Sequence, residues 1–237
     1  MRVLILSDVH GNLPALEAVL EAEPAVDAAF FLGDAVDYGP DPGACLDLLA
    51  SRCRVQVRGN HDNAVARGVD CACTEAFHPL SLASREHTRS VLAKPELDTL
   101  GRLPTEVTLP LGGRTFYLTH ASPWDNLFDY TSPETDEERW ITSMNMAPGD
   151  PEAILVGHTH RPYVRRLGQK TVVNPGSVGQ PRDGDPRASY ATWEGDRFQL
   201  GRVRYDVERT IRRLVQIGMA EEVTQALAGI LRRGGLV

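Results

Sequence analysis

Three short apolar runs near the start of the chain each stop abruptly at polar residues. Residues 2–7 run into Asp8, residues 28–32 into Gly33-Asp34, and residues 54–57 into Arg58-Gly59-Asn60. Runs this short and continuously apolar read as strands buried on both faces. Between them the spacing turns helical. Leu13, Leu16, Val19 and Leu20 form one stripe over residues 12–22, with Pro14 suited to a first turn, and residues 44–51 form a second helix. Such alternation calls for a parallel sheet with crossover helices, a design in which ligands gather at the carboxyl ends of the strands.

Further along, residues 64–103 read as mostly helical, with a Cys- and His-bearing loop over residues 70–79. Residues 106–111 and 114–119 flank Gly112-Gly113, a two-residue hairpin signal. Residues 153–156, 163–167, 171–173, 189–193 and 197–203 read as strands, and residues 207–231 as helix interrupted near Gly218. There is no repeat and no Pro/Ser linker. The expectation is an α/β fold forming a single domain over residues 1–237, with two facing β-sheets flanked by helices.

Acidic residues number 32 against 25 basic, a net charge of −7 that disfavours a nucleic-acid coat or a polybasic membrane binder. No apolar run approaches the roughly 18 residues of a membrane span, and residues 3–6 are too few for a signal-peptide core. A cytoplasmic protein is expected. Four cysteines do not make a disulfide framework. Cys45 and Cys53 read as buried thiols. Cys71-Ala72-Cys73 lacks the second pair that would complete a structural zinc site, so it reads as two plain thiols. His78 and His87, with no motif around them, read as surface or loop residues.

The remaining five of the seven histidines fall in segments that follow strands. The segments are Asp8-Val9-His10, Gly33-Asp34, Gly59-Asn60-His61-Asp62, Thr119-His120-Ala121 and Gly157-His158-Thr159-His160. Imidazole, carboxylate and amide oxygen together suit a borderline divalent ion such as Mn²⁺, Fe²⁺, Zn²⁺ or Ni²⁺. Gly33, Gly59 and Gly157 are expected to make tight turns that let the next ligand face a cleft. Singly, each segment is as readily a helix cap, a turn or a core histidine. Five in order, all at strand ends, are not.

The series resembles the calcineurin-like metallophosphoesterase superfamily, whose pattern is Asp-x-His, Gly-Asp, Gly-Asn-His-Asp/Glu, a lone His and Gly-His-x-His. Asn174-Pro175-Gly176-Ser177, Asp37-Tyr38-Gly39-Pro40, Pro123-Trp124-Asp125 and Gly179-Gln180-Pro181-Arg182-Asp183 give it the look of the small bacterial phosphodiesterase branch. The resemblance implies two divalent ions, Mn²⁺ foremost, with Fe²⁺, Zn²⁺, Ni²⁺ or Mg²⁺ as alternatives. It assigns Asp8, His10, Asp34 and His160 to one ion, and Asp34, Asn60, His120 and His158 to the other. It further implies hydrolysis of phosphate esters by a metal-bridging hydroxide, with His61 protonating or stabilising the leaving group. Asp62 is placed to fix the His61 tautomer or to cap a helix, and Asn174 to hydrogen-bond the ligand loops. Tyr38, Trp124 and Asn126 sit on loops beside the site, and Arg161 and Arg182 are candidates for a substrate phosphate.

One departure bears on substrate. Relatives of this family that cleave protein phosphomonoesters or symmetrical dinucleoside polyphosphates carry an arginine shortly after the bridging aspartate, where this chain has Tyr38. Without that fork a monoester dianion loses a bidentate clamp, so small phosphodiesters are the expected substrates. Phosphomonoesters and dinucleoside polyphosphates are the alternatives on the same site. A non-catalytic scaffold of the same fold, or a metal-independent acid/base hydrolase, would not need all seven ligand-type residues and His61. A small-molecule phosphoester is the expected partner, with neither membrane nor stable nucleic-acid partner; oligomeric state is left open.

Overall fold

The computed structural model describes residues 1–235. β1 (Arg2–Leu6) leads through α1 (Leu13–Ala22) to β2 (Ala28–Phe31), and α2 (Pro42–Arg52) leads on to β3 (Val55–Gln56). The three strands pair in parallel. Leu4 and Leu6 pack with Leu16 and Val19 of α1 and with Cys45 and Leu49 of α2. Val3 and Ile5 turn the other way, onto Phe116, Leu118 and Leu155. Burial on both faces is why this strand is apolar at every position after Arg2.

Next come α3 (Asn60–Arg67), α4 (His78–Val91) and α5 (Lys94–Arg102). His78 and His87 are half-exposed on α4, at the surface as expected though not in a loop; His78 pairs with Asp70 and His87 bonds the Pro40 carbonyl. β4 (Glu106–Leu111) and β5 (Arg114–Thr119) form the hairpin, with Gly112 and Gly113 at φ 59° and 81°. α6 (Glu137–Met144) has no counterpart among the expected helices, because its polar composition hides its few anchors. Trp140 and Met144 fix it against Tyr117, Ile154 and Val156.

Five strands follow: β6 (Ala153–Leu155), β7 (Tyr163–Leu167), β8 (Lys170–Asn174), β9 (Ala188–Glu194) and β10 (Arg197–Val203). α7 (Val207–Gln216) and α8 (Glu221–Arg233) close the described chain, separated near Gly218. Among the described residues there are two five-stranded sheets, ordered β10-β9-β1-β2-β3 and β4-β5-β6-β8-β7. Their inner faces share one core in which Phe116 meets Phe30, Trp193 and Phe198 edge-on. Helices α1 and α2 cover the outside of the first sheet, and α6 covers the second. None of the described helices is long and apolar enough to cross a membrane.

Two parallel pairs fix the site. β1 and β2 in the first sheet, and β5 and β6 in the second, bring their carboxyl ends to one edge of the sandwich. There Gly33-Asp34 meets His120 across the gap between the sheets. Gly33 takes φ 95°, the turn expected of it. Gly59 and Gly157 serve differently, without a positive φ: a Cβ would overlap the Asp34 carboxylate at the first and the Ser7 hydroxyl at the second. The absence of a side chain, more than backbone freedom, is what those two positions require.

Candidate metal centre and active site

Every segment singled out in the sequence ends at this edge. Asp8 and His10 follow β1, Asp34 follows β2, Asn60 and His61 open α3, His120 follows β5, and His158 and His160 follow β6. All are buried. Asp8, His10, Asp34, His158 and His160 hold φ between 48° and 67°, the left-handed region that costs non-glycine residues about 1–3 kcal/mol each. The surrounding bonds hold that strain. Asp62 accepts from the backbone N–H groups of Asp34 and Ala35, both at 2.8 Å, and of Gly59 at 3.1 Å. Asn174 donates to the Gly157 carbonyl at 2.6 Å and to Thr159 Oγ1 at 3.1 Å, fastening the loop that carries His158 and His160.

The side chains form two buried groups, Asp8 with His10 and His160, and Asp34 with His120 and His158. Asn60 joins the second through Oδ1, which lies 3.0 Å from His120 Nε2 and 3.1 Å from His158 Nδ1. Its amide nitrogen donates to the Cys71 carbonyl at 2.7 Å, so the oxygen is the atom turned inward. Asp34 Oδ2 faces both groups, 3.2 Å from His120 Nε2 and 3.9 Å from His10 Nε2.

Tautomers decide what these contacts mean. His10, His120 and His160 each spend Nδ1–H on a carbonyl, of Val36, Leu32 and Gln180 respectively. A neutral imidazole has one N–H, so in that form each Nε2 carries only a lone pair. Yet His10 and His160 set these atoms 3.2 Å apart. Asp8 Oδ1 is buried without a hydrogen-bond donor. Acceptors facing acceptors in a dry site repel unless a cation lies among them. The donor set of imidazole nitrogen, carboxylate and amide oxygen therefore fits a pair of borderline divalent ions.

Protonation runs the same way. Burial and neighbouring positive charge hold His10 and His158 well below the ordinary imidazole value, and burial with nearby Arg182 lowers His160. Those three present free lone pairs at neutral pH, the form a metal binds. His120 is the exception: burial opposes charge there, but the carboxylates of Asp34 and Asp8 outweigh it and raise the ring to about 9, so its Nε2 holds a proton that a bound ion would displace. Burial likewise disfavours charge on Asp8 and Asp34, yet the imidazoles pull both below the usual carboxylate range.

His61 belongs to neither group. Its backbone N–H donates to Asp34 Oδ1 at 2.9 Å, and its Nδ1 lies 2.9 Å from Asp37 Oδ2. Of the two expectations for Asp62, the cap is what forms, while Asp37, itself bound by Arg85, holds the imidazole. Asp37 stood in a motif already quoted, but nothing in one sequence tells which of two nearby aspartates faces the ring. Burial would lower His61, and the charges of Asp34 and Asp37 together with the Asp37 hydrogen bond raise it instead. Its Nε2 faces the Tyr38 hydroxyl at 3.5 Å.

The substrate candidates divide. Tyr38 is buried, its ring 4.9 Å from those of both His10 and His61. Arg182 lies over Phe77 at 3.7 Å, with Tyr38 at 5.7 Å. Arg161 is instead engaged by Glu134 in an exposed ion pair. Trp124 is 59% exposed. Asn126 bonds Tyr117 and Ser122, closing its own loop. Tyr130, which the sequence did not flag, lies over His158 with ring centroids 4.1 Å apart.

The family model described as the calcineurin-like phosphoesterase superfamily domain matches residues 1–197. The chain is 28% identical over 210 residues to phosphodiesterase YfcE of Escherichia coli (strain K12), covering 83% of this chain and 89% of that one. A metallophosphoesterase structure from Sphaerobacter thermophilus is 32% identical, covers 99% of both chains and has a TM-score of 0.79. The hypothetical protein PH1004 from Pyrococcus horikoshii OT3 has a TM-score of 0.85 over 100% of this chain and 99% of that one, and at 22% identity it speaks for the fold.

Proposed function

The chain belongs to the calcineurin-like phosphoesterase superfamily, and we propose that it is a two-metal phosphodiesterase acting on small phosphodiesters. One observation carries this reading: two buried groups of metal-ligand atoms meet at Asp34 Oδ2, and in one of them His10 and His160 turn Nε2 lone pairs on each other at 3.2 Å. Asp8, His10, Asp34 and His160 would hold one ion, and Asp34, Asn60, His120 and His158 the other. Divalent ions there would supply Lewis acidity toward phosphoryl oxygens and make water a nucleophile at neutral pH. Mn²⁺ is the proposed activator.

The remaining chemistry falls to the chain. His61 keeps Nδ1–H on Asp37, which fixes the ring and leaves Nε2 to carry a proton toward the leaving-group oxygen. Asp62 and Asn174 position the ligand loops. Tyr38 walls the site where an arginine clamp would otherwise stand. With Arg161 engaged by Glu134, Arg182 is the proposed positive charge for a substrate phosphate. The reading includes a single cytoplasmic domain over residues 1–237 with no stable nucleic-acid partner, in keeping with the net charge of −7.

The test of substrate class compares kcat/KM for an aryl phosphodiester and the monoester with the same leaving group, both with Mn²⁺. One negative charge needs less compensation than two, so the diester should lead by about tenfold or more, equivalent to about 1.4 kcal/mol in the barrier. A clear monoester preference would overturn the argument from Tyr38.

A further inference from the structure

Beside His61, and outside the two groups above, stands a second kind of donor set. Cys71 and Cys73 are free thiols on the loop between α3 and α4, their Sγ atoms 2.9 Å apart. Ala72 between them holds φ 51°, and its N–H is fixed by Asp70 at 2.6 Å. That turn brings both thiols to one side. One ligand atom each from His61, Cys71 and Cys73 lies within 4.8 Å of the others. With Nδ1 committed to Asp37, Nε2 is the ring atom left to bind, and it is the same atom assigned to proton transfer.

We propose that His61, Cys71 and Cys73 form a third cation site, for a soft divalent ion such as Zn²⁺, whose occupancy silences the enzyme by taking His61 out of proton transfer. The inhibitory half rests on the role given to His61 under the phosphodiesterase reading; the binding half does not. Two thiolates and an imidazole select a softer ion than the oxygen-rich pair does. Two cysteines and one histidine leave a fourth position open to water, as in catalytic rather than closed structural zinc sites. On binding, each thiol gives its proton to solvent as its S–metal bond forms, and His61 gives up the Nε2 proton to solvent so that the freed lone pair binds the ion. Supporting groups stand behind the ligands. Ser81 Oγ lies 3.2 Å from Cys71 Sγ and accepts from Arg85 at 2.7 Å, and Arg85 in turn bonds Asp37. One guanidinium thus braces both the thiol and the carboxylate that orients His61. Cys73 is half-buried, which gives an ion a way in.

Cd²⁺ is the probe, added to the reduced, Mn²⁺-loaded protein. A thiolate-to-cadmium charge-transfer band should rise in the ultraviolet and saturate at one ion per chain, with aryl-phosphodiester hydrolysis falling in step. The C73S variant, changed at the half-buried position, should keep its basal hydrolysis and need at least about tenfold more Cd²⁺ for inhibition. C71S/C73S should show no band, and H61A should keep a band that saturates at about tenfold higher Cd²⁺ or more. A band in C71S/C73S, none in the wild type, or an H61A titration identical to wild type would each overturn the site. Wild type that binds Cd²⁺ at one equivalent and goes on hydrolysing would overturn the inhibitory role. A protein that hydrolyses no phosphoester fails the parent reading, while the band still decides the site.

Discussion

Asp34→Asn should reduce hydrolysis to background and cut the affinity for divalent metal by at least about 10²-fold, while the protein stays folded. One oxygen of Asp34 faces both buried groups, and the other accepts the His61 N–H. The amide preserves shape but removes the one charge the two groups share, and it turns an N–H₂ toward lone pairs or toward a backbone donor. Either rotamer leaves two ions poorly held. Metal content by mass spectrometry after dialysis, alongside thermal melting, separates lost ligation from lost fold. A variant that keeps both ions and full turnover would show that Asp34 is not the shared ligand.

His61→Ala should do the opposite to the two readouts: metal content unchanged, turnover down by about 10²–10⁴-fold. The ring is a member of neither group of lone pairs, and its contacts run to Asp37 and Tyr38. Alanine retains the backbone N–H that bonds Asp34. The deficit should shrink as the leaving group becomes more acidic, because a good leaving group needs no proton. Loss of both ions, or a deficit independent of leaving group, would show that His61 acts on the metal groups rather than on the leaving group.

The sheets were legible because both faces of their central strands are buried, which leaves an apolar signature at every position of residues 3–6 and again in 28–31. α6 was illegible because two residues, Trp140 and Met144, do most of its anchoring within a polar octet. At the site, the ligand-type residues could be read from their places after strands. Their partners could not. Asp62 is next to His61 in sequence and Asp37 is not, yet the turn at Asp37-Tyr38, both in the left-handed region, sends the Asp37 carboxylate to the imidazole and leaves that of Asp62 to the backbone. Arg161 and Arg182 were likewise equivalent until Glu134 engaged one of them. Tyr130 and the convergence of Cys71-Ala72-Cys73 on His61 depend on contacts between distant segments, for which one sequence holds no signal.

The central claim, two ions held by these groups and needed for phosphodiester hydrolysis, is tested most directly by stepwise reconstitution. The protein is stripped with a chelator, and hydrolysis of an aryl phosphodiester is followed as Mn²⁺ is returned. No turnover is expected after stripping, little at one equivalent, and full recovery only as the second equivalent binds. Hydrolysis that survives chelation, returns completely with one ion, or stays absent when two are bound would contradict the account.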